Sequence, residues 1–346
     1  MEFFESTGRH RADGNQQDGC LLRCAAVPEE AHSPAMPVAA IDLGGTKLAV
    51  AAFSDDGEIL FRESVPLSGR TGGAVGGLIA EQIRTLFQRY GCTSAGVCIP
   101  GLYRSAHGTV WAPNIPGWDD YPLLEELTAT VGDASRITID SDRAAYILGE
   151  TWKGAARGAR DAIFLAVGTG IGAGILCDGR VLRGAGDVAG AIGWLALDRP
   201  FAPRFVQHGC FEDQASGPGL VRVARDLMAA DTEYSGPLLR KEELDAADIF
   251  TAFADGDTIA VRTIDNAVEL WGMAAANLVS LFNPQMIVFG GGIFGPASQL
   301  LDRIRTEARR WAQPIAIEQV RFVPSELGSD AGLYGAGRLA LPQETD

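Results

Sequence analysis

The stretch VAAIDLGGTKLAVAAFS, residues 38–54, sets two apolar runs on either side of a glycine pair. Neither run has helical spacing, so both read as buried strands. The loop DLGGTK between them (Asp42, Gly44, Gly45, Thr46, Lys47) therefore leads from strand to strand, not from strand to helix. Glycines in such a loop let backbone N–H groups approach a phosphate, and Thr46 and Lys47 add a donor and a charge. After the turn Asp55–Asp56–Gly57, GEILFRESVPL completes a three-strand meander.

Two further glycine clusters follow apolar runs. GTGIGAG (Gly168, Thr169, Gly170, Gly172 to Gly174) again separates two strand-like segments, since AGILCDGRVL reads as extended with a turn at Asp178–Gly179. FGGGIFG (Gly290, Gly291, Gly292) ends the run QMIVF and is expected to lead into a helix. Both clusters contain a dinucleotide-type spacing, Gly168-x-Gly170-x-x-Ala173 and Gly290-x-Gly292-x-x-Gly295. That spacing needs a strand–helix unit with an acid about 20 residues on. The first cluster continues as a strand, and the second lacks the acid. A single cluster is more often a plain turn. Three of them, two between strands, point to a nucleotide held between two domains.

The rest of the chain alternates helical and strand patterns, the signature of an α/β protein. GGLIAEQIRTLFQRYG, YPLLEELTATVG, RAAYILGETWKGAA, DTIAVRTIDNAVELWGMAAANLVSLF and SQLLDRIRTEARRWA read as helices. AGVCIPG, RITID and DAIFLAVGTG read as strands, DTEYSGPLLRKEELDAAD as a mobile charged stretch, and SDAGLYGAGRLAL as a closely packing small-residue helix. Residues 1–35 are polar and aperiodic and are expected to form a disordered tail, with Met36 a second candidate start. They carry no signal-peptide pattern, and no run is long enough to span a membrane, so a cytoplasmic protein without membrane partners is expected. In 346 residues, 29 Lys and Arg against 44 Asp and Glu give a net charge of −15, which opposes sequence-independent binding to nucleic acid. The six cysteines are scattered and form no disulfide framework.

Taken in order, AAIDLGGTKLAVAAFSDDGEIL, GVCIPGLY, APNIPGWDDYPLLEEL, VGTGIGAGILCDGRVLRGAGDVAG and LVSLFNPQMIVFGGGI resemble the ROK sugar kinases over roughly Pro37 to Leu341. The resemblance implies an α/β, two-domain, actin-like (ribonuclease H-like) sugar kinase fold with an interdomain cleft. Residues 36–141 would form a small domain, with the C-terminal helix 330–346 packed back on it, and 142–329 a large one. It also implies ATP-dependent phosphorylation of a sugar hydroxyl, a sugar-like small-molecule substrate and a homodimer. The family's Asn-Asp-x-Asn segment falls on DSDRAAYILGE, so Asp142 aligns as the catalytic base with Ser141 in place of the first Asn. A carboxylate at a helix start can accept the hydroxyl proton as phosphate transfers. Asp140 or Asp142 could instead simply cap that helix; catalysis is expected of Asp142, and capping or a structural role of Asp140. Asp42 resembles the acid that acts near Mg²⁺ through water, Asn114 the sugar-binding amide, and Glu212 the carboxylate of the family's GCLE. Trp118 is expected to pack beneath the Asn114 loop.

Two departures from the family stand out. Its AGEIGH segment reads AGAIGW here, so Ala191 and Trp194 replace a Glu and a His that bond the sugar. Its zinc motif, Cys-x-Cys-Gly-x-x-x-Cys, is reduced to RFVQHGC, leaving Cys210 with His208 nearby. Tetrahedral zinc takes four such ligands, so no zinc is expected. Losing the two polar sugar contacts should cost about 2–4 kcal/mol with a glucose-like ligand. That is on the order of a hundredfold in affinity, enough to change the preferred substrate. Trp194 could stack on a ligand, though filling the volume left by the zinc module is the plainer expectation. The competing reading is a catalytically weak or inactive sugar or effector sensor without a DNA-binding domain. Retention of Asp142, Thr46 and Lys47 weighs against it.

Overall fold

A computed structural model describes residues 36–342; the tail expected at 1–35 lies outside the described residues. Two five-stranded sheets carry the fold. The first contains β1 (Val38–Leu43), β2 (Lys47–Phe53), β3 (Ile59–Pro66), β4 (Ser94–Ile99) and, after a small hairpin of β5 (Leu102–Arg104) and β6 (Thr109–Trp111), β7 (Ile137–Ser141). Its order is β3-β2-β1-β4-β7, with the meander antiparallel and β1, β4 and β7 parallel. The second contains β8 (Ala162–Val167), β9 (Ile171–Cys177), β10 (Arg180–Val181), β11 (Met286–Gly290) and β12 (Arg321–Pro324). Its order, β10-β9-β8-β11-β12, repeats the first sheet's pattern of three antiparallel strands followed by parallel ones. The Gly44–Lys47 turn and the Gly168–Gly170 turn thus occupy equivalent places, each between the first two strands of its sheet.

Helices α1 (Gly73–Tyr90) and α2 (Leu123–Val131) cover one face of the first sheet through Ile79, Ile83, Leu86 and Leu127. α1 ends where expected, on the left-handed Gly91. The second sheet is covered by α4 (Phe205–His208), α5 (Cys210–Ala215), α6 (Gly217–Ala230), α7 (Ala246–Ala254), α8 (Thr258–Phe282), α9 (Leu301–Trp311) and α10 (Pro314–Gln319). Trp271 and Phe289 lie at the centre of this core, and the Trp271 indole donates to the Ala215 carbonyl at 3.1 Å.

The remaining helices, α3 (Asp142–Lys153) and α11 (Ala331–Ala340), each follow the last strand of a sheet and pack on one another. Small residues bring these two helices backbone-to-backbone with each other and with the strands β4 and β9 beneath them. A Cβ on Gly335 would stand 1.9 Å from the Ala145 carbonyl, one on Gly96 1.9 Å from that of Ala336, and one on Gly174 2.0 Å from that of Arg143. The fully buried Glu150 of α3 ties the loop after β12 to this seam, accepting from Ala155 N at 2.7 Å and Leu327 N at 3.2 Å.

Two local expectations are corrected. The charged stretch expected to be mobile contains a 3-10 turn, Pro237–Arg240, and the Asp245–Asp248 capping box that starts α7. The third glycine loop does not run straight into a long helix, because 3-10 turns at Gly292–Phe294 and Pro296–Leu300 intervene before α9.

Candidate active site

A cleft of about 840 Å³ gathers Asn114, Asp142, Trp194 and Glu212 with Gly168, Thr169, Gly170, Gly172, Gly291 and Gly292. Side chains not singled out from sequence, Arg143, Tyr146 and Arg222 among them, also line it. Asp42 and Gly290 line an adjoining cavity of about 440 Å³ that shares Tyr146, Gly291 and Gly292 with the cleft. Gly45 and Thr46 face a third recess, which reaches Asn114 from the other side. Gly44 donates its N–H to the Lys47 carbonyl at 2.9 Å, and Lys47 is exposed at the start of β2. A further cavity of about 650 Å³ extends from Gly168, Thr169 and Gly292 to Pro218, Val221, Leu244 and Ala246.

Asp142 is the first residue of α3, but it does not cap the helix. Neither does Asp140. The cap is Ser141, whose Oγ accepts from Ala144 N at 3.3 Å. Asp140 instead pairs with Arg183 from the segment after β10, Nε lying 3.0 Å from Oδ2, and accepts from Ser141 N at 2.8 Å. Asp142 Oδ1 accepts from Arg143 N at 2.8 Å. Burial pushes the Asp142 carboxyl up to about 6, against the pull of the Arg143 charge and N–H and with added repulsion from Asp42. Asp42 is likewise pushed up to about 6 by burial, opposed by a hydrogen bond from the Cys98 thiol. Among the described residues neither acid has an ion-pair partner. The two carboxylates repel one another, and their oxygens are the donor type that a hard dication such as Mg²⁺ takes.

Glu212 is held against the second glycine loop, its Oε2 accepting from Ile171 N at 2.7 Å. A Cβ on Gly193 would stand 2.9 Å from that oxygen, so glycine is what admits the carboxylate. Burial raises the Glu212 carboxyl, while the Ile171 N–H and the His208 and Arg222 charges lower it. Asn114 is exposed in the turn after β6, and its amide makes no hydrogen bond among the described residues. Trp118 is buried beneath that turn, stacked on Tyr121 at 4.7 Å, with its indole N–H on the Gly72 carbonyl at 3.0 Å.

The wall Gly186–Trp194 is pinned to β9 at Gly190. Its φ is +88°, its carbonyl accepts from Ala173 N at 2.8 Å, and a Cβ there would stand 1.9 Å from the Ala173 carbonyl. Trp194 is 57% exposed on the cleft side. It is therefore no core residue, which weighs against the plainer expectation for it. Cys210 is buried, with the Gln214 amide 3.8 Å from its sulfur, and among the described residues no group of three His, Cys, Asp or Glu could hold a metal. A lone Cys and His do not fit structural zinc.

The ROK family profile matches residues 38–343. The chain belongs to the ROK family. This ROK chain is 31% identical to the glucokinase of Halalkalibacterium halodurans over 318 residues, 88% of this chain and 94% of that protein. Among solved structures it is similar to a ROK hexokinase from Thermus thermophilus, with a TM-score of 0.73 and 31% identity over 88% of this chain and 97% of that one. It is also similar to a ROK glucokinase from Streptomyces griseus in complex with glucose and AMPPNP, with a TM-score of 0.70 and 29% identity over 88% and 98%. Its fold is accordingly the actin-like, α/β architecture of the ROK sugar kinases.

Sequence reasoning missed several side chains of the site. Tyr146 and Arg143 sit at ordinary helix positions, and nothing in their spacing marks them. The ionic partner of Asp140 lies 43 residues away in sequence. Arg222, in both the cleft and the more apolar cavity, follows the glycine-rich start of α6 and carries no motif.

Proposed function

We propose that this ROK protein transfers the γ-phosphate of ATP to a hydroxyl of a sugar or sugar derivative, with Asp142 as general base. The curated relatives are sugar kinases, and the placement of Asp142 at the head of α3, in the cleft shared with the Gly168–Gly172 loop, carries the finer assignment. Asp142 Oδ1 is occupied by the Arg143 N–H, which leaves Oδ2 for the substrate hydroxyl. As the oxygen attacks, its proton passes to that carboxylate. Asn114 offers an uncommitted amide to the sugar, and Glu212, fixed by Ile171 N, presents its second oxygen. The Gly168–Gly170 backbone holds phosphates, helped by Gly44–Lys47. The apolar cavity by Val221 and Leu244 takes the nucleoside, with Gly290–Gly292 at its edge. Mg²⁺ held by Asp42, through water, would neutralise charge on the phosphates.

The acceptor differs from plain glucose, because the wall at Val188, Ala191 and Trp194 offers hydroxyls nothing but an indole N–H. Residues 36–141 with the C-terminal helix form one body and 142–329 the other, and closure of the two on substrate excludes water from the γ-phosphate. The test is ADP release with ATP and Mg²⁺ across hexoses, amino sugars, sugar acids and polyols. Turnover on at least one should fall by about 10²–10⁴ in Asp142→Asn. Turnover that survives the substitution would remove Asp142 as the base, and no turnover on any compound would remove the kinase reading.

A further inference from the structure

Among the described residues, three side chains that can carry positive charge line the cleft: Arg143, His208 and Arg222. Arg222 is committed, its Nε lying 3.0 Å from the carboxylate of the buried Asp213. His208 is an imidazole and carries no permanent charge, whereas a guanidinium always does. Arg143 makes no hydrogen bond or ion pair through its guanidinium among the described residues. Nor does its side chain hang loose in solvent. It is half-buried, and its methylenes occupy the space over Gly172, where a Cβ would stand 2.7 Å from Cδ and 3.1 Å from Cγ. The same point lies 3.8 Å from the Gly190 carbonyl, so the side chain runs beside the Gly186–Trp194 wall.

A guanidinium carries five donors in a rigid fork, and a carboxylate satisfies two of them at once. The fork has no partner among the described residues, so an anionic ligand group could pair with it through charge-assisted hydrogen bonds. The charge of Arg143 acts on Asp142, but neither neighbouring acid bonds the fork: Asp142 takes the backbone N–H of Arg143, and Glu212 takes that of Ile171. From Val188 to Trp194 the wall beside the fork has no acid and no amide, and the one acid of the segment, Asp187, is engaged by Ser105 N and Oγ. Gly190, beside the same side chain, belongs to the acceptor wall, whereas the phosphates are assigned to Gly168–Gly170 and the nucleoside cavity opens from Gly168 and Thr169. Gly172 adjoins the phosphate loop, so AMPPNP binding is the control for this assignment.

We infer that the acceptor is an acidic sugar, a polyhydroxy compound bearing a carboxylate, and that the fork of Arg143 reads that carboxylate. The inference rests on the kinase reading for its substrate site, but binding alone can test it. Isothermal titration would compare glucuronate with glucose, galacturonate with galactose and gluconate with glucitol, on the wild type, Arg143→Gln and Arg143→Lys. At least one acid should bind about tenfold or more tightly than its neutral parent. That preference should vanish in Arg143→Gln and survive in part in Arg143→Lys, a point charge without the fork. AMPPNP affinity should change little in either variant.

Equal binding of acids and parents, no binding of any of them, or an acid preference that outlives Arg143→Gln overturns the inference. So does a loss of AMPPNP affinity in place of acid affinity. ADP release keeps the two readings apart. A neutral sugar phosphorylated in an Asp142-dependent way, with no acid preferred, leaves the kinase and sinks the inference. An acid that binds through Arg143 but is never phosphorylated does the reverse.

Discussion

Asp142 must be ionised to accept a proton, and burial holds its pKa at about 6. kcat/KM should therefore climb with pH through about 6 and level off above it, a limb that ADP-release assays in the free-substrate regime would locate. A limb near 4 would mean that the carboxyl is solvated when substrate arrives. The same burial has a cost in stability. Asp42 and Asp142 both rise from an ordinary 3.8 to about 6 in the folded state. Between those values the folded chain holds protons that the unfolded chain has released, so their stabilising contribution is full below about 4 and lost as pH rises through about 6. Asp42→Asn removes one such charge. At pH 7.5 it should melt a few degrees higher by circular dichroism while ADP release falls; a lower Tm would show that the Asp42 charge is compensated. The glycine loops were readable from residues alone, whereas Asp42, Asn114, Asp142 and Glu212 were legible through the segments that resemble the ROK kinases. Arg143 was not, since a helix position gives no sign of which way its side chain lies.

At the level of elements, periodicity located α1, α3 and α8 well, since each is long and buries a regular apolar stripe. It passed over α5, α6 and α7, whose starts are rich in Gly, Pro and acids because they border the cleft, and the four-residue β12. SDAGLYGAGRLAL reads as a closely packing helix, and the resemblance implies that it packs back on the small domain, but the sequence does not show which residues it meets. There the Gly335 position faces the Ala145 carbonyl at a distance that no side chain tolerates. Gly335→Ala should cost at least about 1–3 kcal/mol in urea unfolding, the overpacking range. Gly186→Ala, where a Cβ would meet nothing within 4 Å, should stay within about 0.5 kcal/mol. Equal losses in the two would mean that the seam yields.

Across the molecule, the segment that carries the substrate wall belongs by sequence to the second sheet but is tethered to the first. Arg183 grips Asp140, and Asp187 accepts from Ser105 N at 3.0 Å and Ser105 Oγ at 3.1 Å. Asp187 sits at φ +58°, so Asp187→Gly removes the tether without backbone strain. It should raise KM for the acceptor with kcat little changed, and raise the small-angle-scattering radius of the protein without ligand; an unchanged KM would reduce the tether to decoration. The seam of α3 and α11 bears on something else, the route by which the chain becomes compact. Val38, Ala40 and Phe53 of the first sheet are covered by Leu333, Ala336 and Ala340, contacts that span nearly the whole described chain. Contacts so distant in sequence form late. A half-folded chain would thus present the meander with one apolar face bare, open to self-association until its last helix arrives. The element that brings both halves of the site together is then also the one whose delay leaves the protein most exposed to aggregation.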